Sequence, residues 1–197
     1  MIESRCPWPA ENPLMIAYHD TEWGVPVHDD RKIFEFMVLD SFQAGLSWSI
    51  ILKKREGFRH ALADFDVAQI ARFDEDYIAT LLTNPAIIRN RMKIRATVNN
   101  AQRFLEVQQE FGTFDAYIWR FTAGKMLIHK WRRLTDLPTK TPEAEKMSAD
   151  LQKRGFRFVG PTICYAFMQA AGMVNDHLIS CFRYQEVIES FRNCSKQ

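Results

Sequence analysis

The 197-residue chain is poor in residues that break or bend a helix, with only eight Gly and eight Pro. That is too few for a fold made mostly of tight turns. Long hydrophobic runs are also missing. Apolar stretches such as Ile50 to Leu52 fall far short of the roughly 20 residues a membrane span needs, so no membrane partner is expected. The opening MIESRCPWPAENP has no apolar core of signal-peptide length, and its acidic residues and prolines argue against a transit peptide. A cytoplasmic location is the expectation. Net charge is small, with Lys+Arg 26 against Asp+Glu 24 giving +2. This neither demands nor excludes a polyanionic partner, so any basic surface has to be sought locally. Cysteine is sparse: Cys6, Cys164, Cys181 and Cys194. A chain of this length buries roughly 70% of its unfolded surface and needs no disulfide staples. Reduced thiols are expected, with metal ligation the first role to test. What remains is globular in kind. Apolar residues make up 47% and charged residues 25%, which excludes a disordered or collagen-like chain, and 13% aromatics is generous.

From residue 29 onward the pattern predicts helix after helix, and the fold class is all-α. Asp29 and Asp30 supply an N-cap and first-turn charge for a helix reaching about Ser41. Ser47 caps a second, and Asp74 a short third. A long fourth runs from about Arg89 to Phe111, with Ile94, Val98, Ala101 and Leu105 on one face and Gly112 closing it. Thr141-Pro142 opens a helix that Gly155 stops, and Pro161 starts another that ends near Gly172. Ala123 to Thr141 reads as a long loop with a helical turn around Lys130. No repeat divides the chain, so residues 1–197 are taken as a single unit.

Four constellations carry chemical possibilities. His177 and Cys181 lie four apart, so on a helix both would leave one face within reach of one ion. The ordinary alternative is a capping imidazole and a buried thiol. Cys6 and His19 form a second pair and complete a Cys2His2 set of the kind zinc prefers. If the pairs meet, a metal ties the N-terminal segment to the last helices, with no position left for a reactive water. The second constellation is LQKRGFRFVGPTICYAFMQA. Two glycines bracket an apolar turn, and the free N–H groups after Pro161 could hold a phosphate. Lys153, Arg154 and Arg157 make its flanks basic, although an ordinary helical hairpin with a solvated basic rim reads the same way. Third, Asp40 shares a helix sector with Ile33 and Phe36, while Glu35 faces away. A carboxylate there is costly unless paired, which marks either a site residue or a cap on the following turn. Tyr18, Trp23 and Trp48 supply rings that could surround a flat ligand. Fourth, Arg89, Arg91, Lys93 and Arg95 form a basic run, either a solvated helix face or a track along a phosphate backbone.

Taken together, YHDTEWGVP at Tyr18 to Pro26, LDSFQAGLSW at Leu39 to Trp48, ILKKRE at Ile51 to Glu56 and KRGFRFVGPTICYAFMQAAGMVNDH at Lys153 to His177 resemble the bacterial 3-methyladenine DNA glycosylase I family. The likeness runs from Cys6 to about Tyr184. It implies a helix-hairpin-helix glycosylase that hydrolyses the N-glycosidic bond of 3-methyladenine in double-stranded DNA and leaves an abasic site. It also implies a single structural zinc joining segments 6–19 and 177–181, bound by Cys6, His19, His177 and Cys181. The hairpin element falls on about 141–172, with DNA contacts at Gly155, Gly160 and Thr162. The base pocket falls on Tyr18, Trp23, Trp48 and Asp40, with excision depending on Asp40.

Two positions depart from the family pattern. The pocket acid is typically Glu, and Asp40 is one methylene shorter. A pocket tyrosine corresponds to Met15, which lacks the hydroxyl. Related glycosylases carry a catalytic Asp in a Val-Asp-x-His context, where this chain reads Val174-Asn175-Asp176-His177. The expected mechanism is therefore base flipping, stacking and positioning, with water attacking a bond already labile in the cationic purine. No lysine is placed for a covalent Schiff base, so a monofunctional hydrolase acting as a monomer is expected. The competing expectation is a zinc-stapled module that binds DNA without cutting the glycosidic bond. A zinc hydrolase fits poorly, since four protein ligands leave no open position.

Overall fold

A computed structural model describes residues 4–194, and side chains through Arg192. Among these residues ten α-helices follow in order: α1 (Pro13–Thr21), α2 (Asp30–Gln43), α3 (Trp48–Ala61), α4 (Val67–Ile70), α5 (Glu75–Thr83), α6 (Arg91–Phe111), α7 (Phe114–Trp119), α8 (Pro142–Lys153), α9 (Pro161–Ala170) and α10 (Phe182–Cys194). Their strand content is one parallel pair, β1 (Leu127–Ile128) against β2 (Val174–Asn175). The helical class stands. None of the described helices is long and apolar enough to cross a membrane.

The centre of the molecule is α2, buried without interruption from Ile33 to Phe42. Asp29 starts it by accepting from the Lys32 N–H at 2.8 Å. A helix buried on every side has neighbours all round, and α3, α6, α7 and α9 pack against this one. Two polar residues ride into the interior with it. Glu35, expected to face away, is 3% exposed and held by Arg55 (2.7 Å), Arg59 (3.0 Å) and Lys32 (3.0 Å). Asp40 has no such cations.

The hairpin joins α8 to α9. Thr141 caps the Ala144 N–H, and Pro142 fills the first turn, where no N–H is needed. Gly155 ends α8 at φ +86°, a conformation that glycine adopts without a steric cost. Gly172, after α9, is required for a different reason. A Cβ there would lie 2.2 Å from the Val25 carbonyl carbon, because the two backbones touch at that point.

Several boundaries differ from expectation. Helix α2 runs to Gln43, and α6 starts at Arg91 behind an Asn90 cap. The segment from Ala123 to Thr141 carries β1 and a 3-10 turn at Leu134–Asp136, with no helical turn at Lys130. Helices α1, α4, α7 and α10 lie outside the expected set. For α1 the local signal exists: Asn12 accepts from the Leu14 and Met15 N–H groups, and Pro13 occupies the first turn.

Candidate base pocket, hairpin and metal cluster

The C-terminal half of α2 and the start of α3 form one wall of a cavity of about 290 Å³. This lies at the small end of ligand pockets and suits a single flat heterocycle. Tyr18, Trp23, Trp48 and Asp40 all line it, so the expected pocket residues meet in one place. Tyr18 and Trp48 lie 5.1 Å apart at 57°, and Trp8 and Trp23 lie 5.2 Å apart at 74°. Rings set at an angle to one another form walls and leave a slot between them.

Asp40 is 2% exposed, and its Oδ2 has no hydrogen-bond partner. The alternative of a cap on the next turn is thereby removed. Burial alone pushes its pKa well above the usual carboxylate range. Burial likewise pushes Tyr18 up, with the nearby Asp40 adding to the shift. Two further polar atoms in the cavity wall, the indole Nε1 groups of Trp8 and Trp48, are also buried without acceptors. Unpaired polar atoms converging on a cavity are costly in the absence of a ligand. Sequence reasoning misses Trp8, since a lone Trp ahead of α1 carries no periodic signal. It misses Gln43 at the end of α2, Leu134 and Leu137 at the 3-10 turn, and Gln169 of α9 as well. Met15 also lines it, contributing a thioether to the wall.

Lys93, read as part of a basic run, is 7% exposed and turns inward. Its ammonium donates to the carbonyls of Phe42 (2.8 Å) and Ala44 (2.7 Å), capping the C-terminus of α2 where the pocket wall turns into α3. Desolvation lowers its pKa. Arg95 is paired with Glu75 at 2.6 Å. The basic run is therefore not a continuous cationic track.

The hairpin is gripped from three sides. Asn100 of α6 holds both backbone groups of Arg157, and Asn99 donates to the Gly155 carbonyl at 2.8 Å. Ser148 donates to the Val159 carbonyl at 2.7 Å. Ser41, beside Asp40, has its hydroxyl 3.3 Å from the Phe158 carbonyl. Gly160 precedes α9 without a side-chain cap, leaving the first N–H groups of that helix uncovered. Its φ is −63°, and an added Cβ would meet nothing within 4 Å. Glycine at 160 is thus not demanded by the fold, unlike Gly155. Thr162, in the first turn of α9, is exposed beside it.

At the far end of α1, the potential ligand atoms of Cys6, His19, His177 and Cys181 all lie within 4.8 Å of one another, and all four residues are buried. His177 and Cys181 do not share a helix, as their spacing had implied. They lie in the turn between β2 and α10, closed by the Cys181 N–H to the Leu178 carbonyl at 2.8 Å. His177 Nδ1 is 3.2 Å from His19 Nε2, and Cys181 Sγ is 3.6 Å and 3.7 Å from His19 Nε2 and His177 Nδ1. A tetrahedral zinc with these ligands has edges of about 3.3 to 3.8 Å. The His19, His177 and Cys181 separations, and the 3.8 Å from Cys6 Sγ to His177 Nδ1, lie close to those edges. The remote nitrogens are held in place, His19 Nδ1 by Asp20 at 2.6 Å and His177 Nε2 by the Trp23 carbonyl at 3.0 Å. Such outer partners fix which ring nitrogen faces a metal. Cys164 lies apart from the cluster, with its thiol 3.3 Å from the Val159 carbonyl. The Cys194 side chain falls outside the described residues.

Next to the cluster, Asn175 is fully engaged. Its Nδ2 donates to the Tyr184 carbonyl, and its Oδ1 accepts from the His177 N–H. Asp176 accepts from His129 Nδ1 (2.6 Å), Trp131 Nε1 (2.7 Å), Tyr165 Oη (2.5 Å) and Gln169 Nε2 (2.7 Å). Burial opposes its charge, yet these four donors hold its pKa below the usual range. It is a saturated structural anion and is not free to serve a reaction.

A helical fold with an aromatic slot, an unpartnered carboxylate at its wall and a backbone hairpin nearby has the features of a protein that binds a flat polar heterocycle. Comparison with known proteins agrees. The family model described as methyladenine glycosylase matches residues 8–184, and the chain belongs to that family. It is 44% identical over 180 residues to DNA-3-methyladenine glycosylase 1 of Escherichia coli (strain K12), covering 91% of this chain and 96% of that protein. A crystal structure of a 3-methyladenine DNA glycosylase I superposes with a TM-score of 0.89 at 47% identity, covering 91% of this chain and 98% of the other. A substituted 3-methyladenine DNA glycosylase I solved in complex with 3-methyladenine superposes at 0.88 with 35% identity, covering 90% and 96%.

Proposed function

We propose that the chain is a monofunctional DNA glycosylase that hydrolyses the N-glycosidic bond of 3-methyladenine in double-stranded DNA and leaves an abasic site. The observation that carries this reading is Asp40 Oδ2, buried and unpartnered at a cavity walled by Tyr18, Trp23 and Trp48. A flipped purine cation supplies what is missing there. Its amino group donates to the carboxylate in a charge-assisted bond, and its positive ring stacks favourably on electron-rich faces.

The hairpin from Gly155 to Thr162 grips a phosphate through the uncovered N–H groups at the start of α9 and positions the duplex. Tyr18 and Trp48 hold the extruded base, and Asp40 reads its donor edge. Water adds to C1′ as the C1′–N9 bond breaks. The bonding pair neutralises the cationic ring, the base leaves as 3-methyladenine, and the water's spare proton passes to solvent. Asp40 accepts hydrogen bonds from the base and does not take that proton.

Zinc is the ion that Cys6, His19, His177 and Cys181 would hold. Four protein ligands leave no place for a reactive water, so its contribution is to folding.

The deciding experiment is incubation of the protein with alkylated duplex DNA, scoring free bases released. The expected result is release of 3-methyladenine, with strand breaks appearing only after alkaline treatment. Tight duplex binding with no base release would overturn the reading in favour of a DNA-binding module.

A further inference from the structure

The amide of Gln169 lines the same cavity as Asp40, and its orientation is not free. Its Nε2 donates to Asp176 Oδ2 at 2.7 Å. Asp176 Oδ1 is met by His129 and Trp131 and Oδ2 by Tyr165 as well as by Gln169, so turning the amide over would set carbonyl oxygen against an oxygen that is already accepting. Asp176 is itself immobilised by His129, Trp131 and Tyr165. That bond takes one amide hydrogen and fixes the amide's rotation, which turns the Gln169 carbonyl oxygen away from Asp176.

We propose that Gln169 is a specificity-determining residue of the base pocket: its Asp176-locked carbonyl is a second acceptor beside Asp40, selecting purines that carry a 6-amino group. This rests on the base-excision reading above. A 6-amino group has two hydrogens to offer, and the pocket has two acceptors to meet them. A 6-oxo purine turns a carbonyl toward the Gln169 carbonyl, two acceptors with no proton between them. A site built to accept from a donor rejects the analogue lacking it, because its own buried polar groups then go unpaired.

The test is titration of purified full-length protein with 3-methyladenine and with 3-methylhypoxanthine, which differs at position 6 in carrying oxygen for the amino group. The wild-type protein is expected to prefer 3-methyladenine. Gln169→Met keeps the length and removes the amide. It should weaken 3-methyladenine binding by on the order of tenfold and leave 3-methylhypoxanthine within about twofold. Gln169→Ala, which adds no bulk, should show the same collapse of preference. Tyr165→Phe removes another donor from Asp176 without touching the base, and should move both ligands by one common factor. If Gln169→Met weakens both bases equally, or neither, the assignment is overturned while base excision stands. Collapse of the preference in Tyr165→Phe as well would also overturn it. A wild-type protein that binds neither base overturns both readings.

Discussion

Asn100 holds both backbone polar groups of Arg157 with one side chain. Its Nδ2 donates to the Arg157 carbonyl at 2.9 Å, and its Oδ1 accepts from the Arg157 N–H at 2.8 Å. A side-chain amide here does what a neighbouring strand would do, and it fixes the middle of the hairpin to α6. Asn100→Leu would strand both backbone groups in a part-buried place. The expected cost is about 2 to 3 kcal/mol in urea unfolding. Affinity for undamaged duplex should fall with it, while free 3-methyladenine still binds the folded protein normally.

Gly160 separates hairpin function from hairpin structure. Its backbone dihedrals suit any L-residue, and the space beside it is open. Gly160→Leu should therefore leave the melting temperature almost unchanged. It should weaken binding to damaged and undamaged duplexes alike, since a phosphate contact carries no sequence information. Titration with free base should match wild type. Equal loss of both would mean that this turn only supports the fold.

Asp40 is expected to cost stability at neutral pH. Its folded-state pKa is raised by burial above the unfolded value, so the native state binds the proton more tightly than the unfolded chain does. The stabilisation from the protonated form is complete below the unfolded pKa and is lost as pH rises toward the folded one. Asp40→Asn should thus melt higher than wild type at neutral pH, with the gap closing as the pH falls into the ordinary carboxylate range. The same substitution replaces an acceptor by a donor, so base release and 3-methyladenine binding should fall in parallel. Normal binding with no turnover would identify Asp40 as the general base.

Metal content offers an independent measurement. One zinc per chain is expected, and structural zinc in small domains is worth on the order of 10 kcal/mol. Cys181→Ala should lower thermal stability far more than activity per folded molecule. Fully folded, fully active protein with well under one zinc per chain would refute the structural role.

The helical class is legible because its punctuation is local. Asp29, Asp74 and Thr141 each cap the helix their position announces. Ligand types are legible too, but not their setting. The four-residue spacing of His177 and Cys181 fits a helix and a turn equally, and only the β2–α10 connection decides between them. Lys93 reads as a surface cation when charge alone is counted. It sits beside Ile94, Thr97 and Ala101 on the buried side of α6, which is what carries its ammonium to the carbonyls of α2. Trp8, Gln43, Leu134, Leu137 and Gln169 cannot be grouped from sequence, since the segments carrying them meet only after folding.

The cysteine–histidine cluster has a topological consequence. Cys6 and His177 are 171 positions apart, and the Phe182 N–H bonds the Ser4 carbonyl at 2.9 Å, so almost the whole fold is closed into a ring. Closing a flexible loop costs only about 0.6 kcal/mol more for each doubling of its length, so a tie spanning the fold is entropically little harder to make than a local one. The two edges of the protein are in this way a single edge. Loosening the tie at Cys6 removes a support that the turn carrying His177 and Cys181 shares with the Trp23 and Trp131 carbonyls, so a change at the N-terminal segment is felt 171 positions away.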